Sequence, residues 1–334
     1  MTSMNAHPSR ARIVALGGGT GLATLLRAAK RLPLDELAAI VTVTDDGGSS
    51  GRLRREYGMP PPGDVRNCLV ALAEDDELLT RLFAHRFPGE GETGGHSLGN
   101  LFMTALHQLT GDFPRAVRLA AEVLRVRGSV LPSTEENVHL VAEGRSGALL
   151  VGETAITAGG PPRRIQLSPP APAALPEALA AIGRADLVVL GPGSLFTSTL
   201  PNLLVPELRR AVAHSPGRLV YIANLVTQPG ETDGFDLARH LAEIATVAPE
   251  LRFDAVVVND APLPGDVAAH YREAGAEAIA PLERWTGPGE LMVRPLLSVT
   301  SEGTVRHDVA RLAGVLAELL GPENRGPGTG DREP

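Results

Sequence analysis

The sequence predicts an α/β fold: a Rossmann-like, mostly parallel sheet with helices on both faces and a small antiparallel β excursion. Three observations predict it. Short apolar runs alternate with amphipathic helical stretches along most of the 334 residues, as in a parallel sheet covered on both sides. The first run empties into Gly17-Gly18-Gly19-Thr20-Gly21, a glycine-rich turn directly before a helix. Between residues 138 and 167 the period changes to short β-like pieces separated by Gly and Pro.

Taken in order, Arg12–Leu16 reads as a buried strand, Leu22–Leu32 as a helix and Ala38–Thr44 as a second strand. A polar, Gly/Pro-rich loop follows over Asp45–Gly63. Helical patterns cover Asp64–Ala73, Glu77–Phe87, Ser97–Leu109 and Pro114–Leu124, with a turn at Pro88–Gly95. The β-like pieces are Val138–Ala142, Leu149–Gly152 and Arg163–Leu167. Alternation then resumes: helix Pro176–Gly183, strand Asp186–Leu190, helix Val205–His214, strand Leu219–Ala223, helix Phe235–Ile244, strand Ala255–Asn259 and helix Asp266–Ala274. A last amphipathic helix is expected over Val305–Leu320. Residues 1–10 read as an N-terminal tail, 11–320 as one domain, and 321–334, rich in Gly, Pro and charge, as a disordered C-terminal tail.

Composition narrows the function. A formal charge of −8 with no basic run argues against a nucleic-acid partner. Seven Phe, three Tyr and one Trp offer little for stacking bases or a flavin ring. The single cysteine, Cys68, rules out an intrachain disulfide and fits a reducing cytoplasm. No apolar run reaches the length of a membrane span, and residues 1–10 lack a signal-peptide core. Lys30 is the only lysine among 31 basic side chains, which disfavours Schiff-base and P-loop lysine chemistry. Anions must be held by arginine or backbone amides.

In open parallel sheets ligands sit beyond the carboxyl ends of the strands. Four strand ends carry polar or glycine-rich segments: Gly17–Gly21, Thr44–Arg52, Gly191–Ser194 and Asn224–Thr232. The first exposes backbone N–H groups at a helix start and suits a phosphate. Leu22 stands where the dinucleotide fingerprint needs its third glycine, so NAD is not expected. No Gly-Lys-Ser/Thr follows, so it is not a Walker A loop either. Asp45 can accept a ribose hydroxyl or, with Asp46, hold a divalent cation; an Asx turn is the plainer alternative. Gly48 and Ser49 belong to a glycine–serine nest able to hold an anion, and Arg52, Arg54 and Arg55 either close on a diphosphate or face solvent. Asp64 is expected to cap a helix, with Arg66 and Asn67 in its first turn. Ser97 is expected to cap another, with His96 and Asn100 facing whatever lies at its N-terminus. Gly191, Gly193 and Ser194 resemble a strand-to-helix phosphate turn, and Asn224, Thr227 and Gln228 complete the set. The pattern places neither Arg294 nor Arg306.

Six motifs in order, GGGTGL at 17–22, TDDGGSSGR at 44–52, PPGDVRNCL at 61–69, HSLGNL at 96–101, GPGSLFTS at 191–198 and NLVTQPGET at 224–232, resemble the YvcK family, the gluconeogenesis-factor branch of the CofD-like superfamily. The resemblance covers roughly residues 11–320 and implies a cytoplasmic protein that binds a UDP-sugar, UDP-N-acetylglucosamine in particular. It further implies a regulatory role in cell shape and wall synthesis during gluconeogenic growth, without catalysis. Cell-wall synthesis proteins and a homo-oligomeric state are the expected partners; no cofactor is required. The alternative it implies is a 2-phospho-L-lactate transferase acting on a deazaflavin, in which Asp45 and Asp46 would hold magnesium. The ligand-facing set is Gly17, Gly18, Gly19, Thr20, Gly21, Asp45, Asp46, Gly48, Ser49, Asp64, Arg66, Asn67, His96, Asn100, Gly191, Gly193, Ser194, Asn224, Thr227 and Gln228.

Overall fold

A computed structural model describes residues 10–74, 77–287 and 289–321. Strand β1 (Ala11–Gly17) leads through α1 (Gly19–Ala29) to β2 (Leu34–Val41). Five helices follow: α2 (Gly48–Tyr57), α3 (Gly63–Leu72), α4 (Glu77–Ala84), α5 (Leu98–Thr110) and α6 (Phe113–Val123). Next come β3 (Ser129–Pro132), β4 (His139–Glu143), β5 (Leu149–Val151), α7 (Glu153–Ala158), β6 (Arg164–Ser168), α8 (Pro176–Gly183) and β7 (Leu187–Leu190). A π-helical turn, Leu195–Thr199, runs into α9 (Leu200–Leu203) and α10 (Pro206–Ala213). The chain closes with β8 (Arg218–Ile222), α11 (Leu237–Val247), β9 (Ala255–Asn259), α12 (Gly265–Glu273), β10 (Glu290–Arg294), β11 (Leu297–Val299), β12 (Val305–His307) and α13 (Val309–Leu319).

Seven strands form one sheet in the order β10-β9-β8-β7-β1-β2-β3, and every pairing in it is parallel. Its central strands are apolar because both faces are covered: Ile13–Leu16 and Leu187–Leu190 are buried throughout. Ala15 pairs with Ala39 on one side and Val189 on the other. Helix α1 lays Leu22, Leu25 and Leu26 into the core and packs against α3 and α13. A three-stranded antiparallel sheet, β5-β4-β6, and the hairpin β11-β12 stand outside the main sheet. Among the described residues no helix is long and apolar enough to cross a membrane.

The expected elements differ from the observed ones in several places. The segment Asp45–Gly63 is not all loop: α2 forms there, its helical pattern hidden by glycines and serines in the first turn. The second strand ends at Val41, where its partner β1 also ends, the Thr42 N–H making a last bond to the Gly17 carbonyl at 3.0 Å. The helix expected from Glu77 ends at Ala84 rather than Phe87, since residues 85–87 cross to the segment before α5. Strands β3 and β10 flank the sheet where no strand is expected, being only four and five residues long. Finally, Val305–His307 is strand, and the last helix starts after the Asp308 cap. The expected tails lie outside the described residues, Arg10 and Gly321 apart.

Candidate functional site

From β1 the chain moves to β2 and β3 on one side, while β7 and its successors fill the other. The carboxyl ends of β1 and β7 therefore open side by side, at the topological switch point where α/β sheets bind ligands. Gly18 is the N-cap of α1 and supplies no side-chain cap. The amides of the first turn are thus unsatisfied by any side chain of the cap residue, and the positive end of the helix dipole faces outward. Gly19 has φ +62, a left-handed conformation open to glycine at little cost. Gly21 is required by proximity: a Cβ there would lie 2.4 Å from the Pro192 carbonyl oxygen and 3.0 Å from the Gly193 Cα.

The β7 turn is held by its neighbours. The Gly193 N–H donates to Asn224 Oδ1 at 2.9 Å, and Asn224 Nδ2 returns a bond to the Gly193 carbonyl at 2.8 Å. Ser194 Oγ donates to Gln228 Oε1. Thr227 is clamped on Glu277, donating its N–H to the Glu277 carbonyl and accepting the Glu277 N–H on Oγ1 at 2.9 Å. Below it, buried Glu231 accepts the N–H groups of Phe196 and Thr197 at 2.7 and 3.0 Å and so caps the π turn; burial raises its pKa.

These turns enclose a cleft of about 440 Å³, within the range of small-ligand pockets. The C-terminal hairpin supplies its far wall through Val305, Arg306 and His307, and α12 adds Tyr271, whose hydroxyl accepts the Val305 N–H at 2.9 Å. His307 is buried, which pushes its pKa down to about 4 and keeps the ring neutral near pH 7. Arg306 brings the positive charge that an anionic ligand needs. Arg294 lies elsewhere, its guanidinium paired with Glu318 on α13.

The remaining candidates form a second cluster against Gly18, outside the lining of this cleft. Asp64 is not a cap: Pro62 occupies that position, and Asp64 sits one residue inside α3. A Cβ on Gly18 would lie 2.5 Å from its Oδ2, and its carboxylate accepts the Gly19 N–H. Burial, with the charge of Asp45, raises the Asp64 pKa to about 7. Asp45 forms an Asx turn, accepting the Gly47 N–H at 2.9 Å. Asp46 reaches α7 instead, where Thr154 N and Oγ1 each donate to its Oδ1 at 3.0 Å. The two carboxylates are thus engaged in separate tasks. Among the described residues no group of three or more His, Cys, Asp or Glu is placed to hold a metal ion.

Gly48 has φ +45 and opens α2. Ser49 Oγ lies 2.8 Å from His96 Nδ1 and accepts from Asn100 Nδ2 at 3.0 Å, all three being buried. Burial and the neighbouring Arg52 hold His96 below the usual histidine pKa. Arg66 donates to Ser97 Oγ and, at 2.6 Å, to Asn67 Oδ1. Ser97 caps α5 as expected, accepting the Asn100 N–H at 3.2 Å. Arg54, expected at a diphosphate or in solvent, is buried with its guanidinium on the Thr44 and Val138 carbonyls.

Of the candidates, the structure gathers Gly18–Gly21, Gly193, Ser194, Asn224, Thr227 and Gln228 at one cleft. Gly17 and Gly191 stand behind it in the strand ends. Sequence reasoning missed Thr24, Ser198, Tyr271 and His307, which also line it. Thr24, one turn beyond Thr20, was accessible from helical spacing. Tyr271 and His307 carry no local motif.

A sequence model of the family described as 2-phospho-L-lactate transferase CofD matches residues 13–284. The chain is 42% identical over 311 residues to a Bacillus subtilis protein named gluconeogenesis factor, covering 92% of this chain and 98% of that one. A Halalkalibacterium halodurans protein of the same name is 42% identical over 308 residues, covering 92% and 95%. A crystal structure of a UPF0052-family protein from Bacillus halodurans superposes with a TM-score of 0.87 at 42% identity, covering 92% of this chain and 99% of that one.

Proposed function

The chain belongs to the CofD family, with curated relatives named gluconeogenesis factor, and from that premise we propose that it is a regulatory protein binding a UDP-sugar, UDP-N-acetylglucosamine in particular, in the cleft at the β1/β7 switch point. One observation carries the reading: the first turn of α1, whose Gly18 cap residue offers no side chain and whose Gly19 N–H goes to Asp64, lines the same cleft as Arg306 of the hairpin. Backbone amides at a helix start with a guanidinium opposite are suited to a diphosphate. Asn224, Thr227 and Gln228 add neutral polar groups beside it, of the kind that orient a sugar or a base. The paucity of aromatic side chains and the engaged state of Asp46 favour binding over transfer to a deazaflavin. The bound state would signal to cell-wall synthesis proteins in the cytoplasm.

The test is calorimetric titration with UDP-N-acetylglucosamine, using NAD and GDP as comparisons. Saturable binding of the UDP-sugar is expected, with a rise in stability of about 2.7 kcal/mol at a hundredfold excess over Kd. Arg306→Ala should weaken it by about tenfold or more, the worth of a charge-assisted hydrogen bond. Absence of binding at millimolar ligand, or tighter binding of NAD, overturns the proposal.

A further inference from the structure

A second concavity lies away from the strand ends, where the small antiparallel sheet meets α11. Its volume is about 500 Å³, comparable with that of the cleft. Three separate elements each place one guanidinium on its rim: Arg145 in the turn between β4 and β5, Arg163 at the entry to β6, and Arg239 in the first turn of α11. The positions are fixed by backbone. The Arg163 N–H donates to the Glu143 carbonyl at 2.8 Å, which continues the ladder of β4 and β6, and Ala242, Glu243 and Thr246 lie on the same face of α11 as Arg239.

The charges do not balance. Arg239 pairs with Glu243 at 2.6 Å, Arg163 reaches Glu143 only at 3.9 Å, and Arg145, an exposed residue, forms no ion pair among the described residues. Three guanidinium groups against two partner carboxylates leave a local surplus of one positive charge at this concavity, in a chain whose formal charge is −8. Glu243 and the Phe235 ring, its centroid 5.3 Å from the guanidinium carbon, account for the position of Arg239, but no ion pair among the described residues accounts for Arg145. A guanidinium presents a planar fork of donors that matches carboxylate and phosphate oxygens. The volume suits a small molecule.

We propose that this concavity is a second ligand site, for a small polyanion carrying carboxylate or phosphate groups, separate from the strand-end cleft and independent of what the cleft binds. Arg145 and Arg163 hold the anion from the sheet side, and Arg239 closes on it from the helix while keeping Glu243.

The experiment is calorimetric titration of the full chain at low salt with citrate as the polycarboxylate probe and pyrophosphate as the polyphosphate probe. It is repeated on the double variant Arg145→Ala/Arg163→Ala and on Arg306→Ala. Both sheet-side arginines are exposed, so the double variant should melt as the wild type does without probe. The expected result is saturable binding of at least one probe, with affinity lowered about tenfold or more in the double variant and retained in Arg306→Ala. Which probe binds identifies the carboxylate or the phosphate source. Three results overturn the proposal: no saturable binding of either probe at about 10 mM, equal binding by the double variant, or loss of binding in Arg306→Ala.

Discussion

Replacing Gly21 by alanine tests whether the meeting of α1 with the β7 turn is as tight as the geometry requires. The added Cβ would stand 2.4 Å from the Pro192 carbonyl oxygen and 2.8 Å from its carbon. An ordinary carbon–oxygen contact needs about 3.3 Å, so one element must retreat by nearly 1 Å. The β7 turn cannot yield cheaply, because two hydrogen bonds from Asn224 hold Gly193. Overpacking of this kind costs about 1–3 kcal/mol, against which alanine recovers about 1 kcal/mol of helix propensity. The net expectation is a loss of up to about 2 kcal/mol and weaker binding in the cleft, since α1 carries the amides. Gly17→Ala is the control: its Cβ would meet Leu22 at an ordinary 3.5 Å. Urea denaturation and ligand titration of both variants give the answer. Equal stability and equal affinity in the two would refute the claim that glycine at 21 is required by close approach.

Asp64→Asn should change the pH dependence of stability. A carboxyl whose pKa is raised from 3.8 to about 7 favours the folded state most below its unfolded value, and stability falls as pH rises toward 7; the bound is about 4 kcal/mol, nearer 1–2 for a partly exposed group. The variant should therefore exceed wild type at pH 8 in thermal melts, and an unchanged pH slope would count against it. His307 acts in the opposite sense, because its folded pKa of about 4 makes stability fall as pH drops from about 6.5 toward 4 by up to about 3 kcal/mol. His307→Gln should flatten that acid limb, which in wild type partly cancels the Asp64 effect. Glu231→Ala strands the Phe196 and Thr197 N–H groups in the interior and should cost about 2–4 kcal/mol in urea denaturation, whereas Glu231→Gln should cost about 1 kcal/mol or less.

The parts of the fold legible in the sequence were those whose signal is local. Asp186–Leu190 and Ala255–Asn259 read as strands because a strand covered on both faces has no alternative but an apolar run. Ser129–Pro132 did not, since four residues at a sheet margin carry too little pattern and end in proline. Helix α2 was obscured by Gly48, Ser49, Ser50 and Gly51, poor helix formers of which Gly51 is required by close approach: a Cβ on it would lie 1.8 Å from the Asp46 carbonyl oxygen. The glycine turns at Gly18–Gly21 and Gly191–Ser194 were legible for the same reason that they are functional candidates. Arg306 was not, because its place in the cleft depends on Val305 reaching Tyr271 across 34 residues. The sequence also joined the Asp45–Asn100 group to the cleft, whose lining does not include it, although Asp64 comes up against Gly18; polar composition alone does not separate the two.

The strand order has a consequence for how the protein is made. Ile13 finds its partner Leu187 only after more than half the chain has left the ribosome, and Arg306 joins the cleft later still. Domains condense as their segments emerge, yet here the first strand must wait beside β2 with one edge open. Such long-range pairing slows folding and exposes the nascent edge to other chains. The cleft draws on segments from Gly18 to His307 and is accordingly complete only once the last hairpin has been made: a chain interrupted before it lacks the wall that carries Arg306.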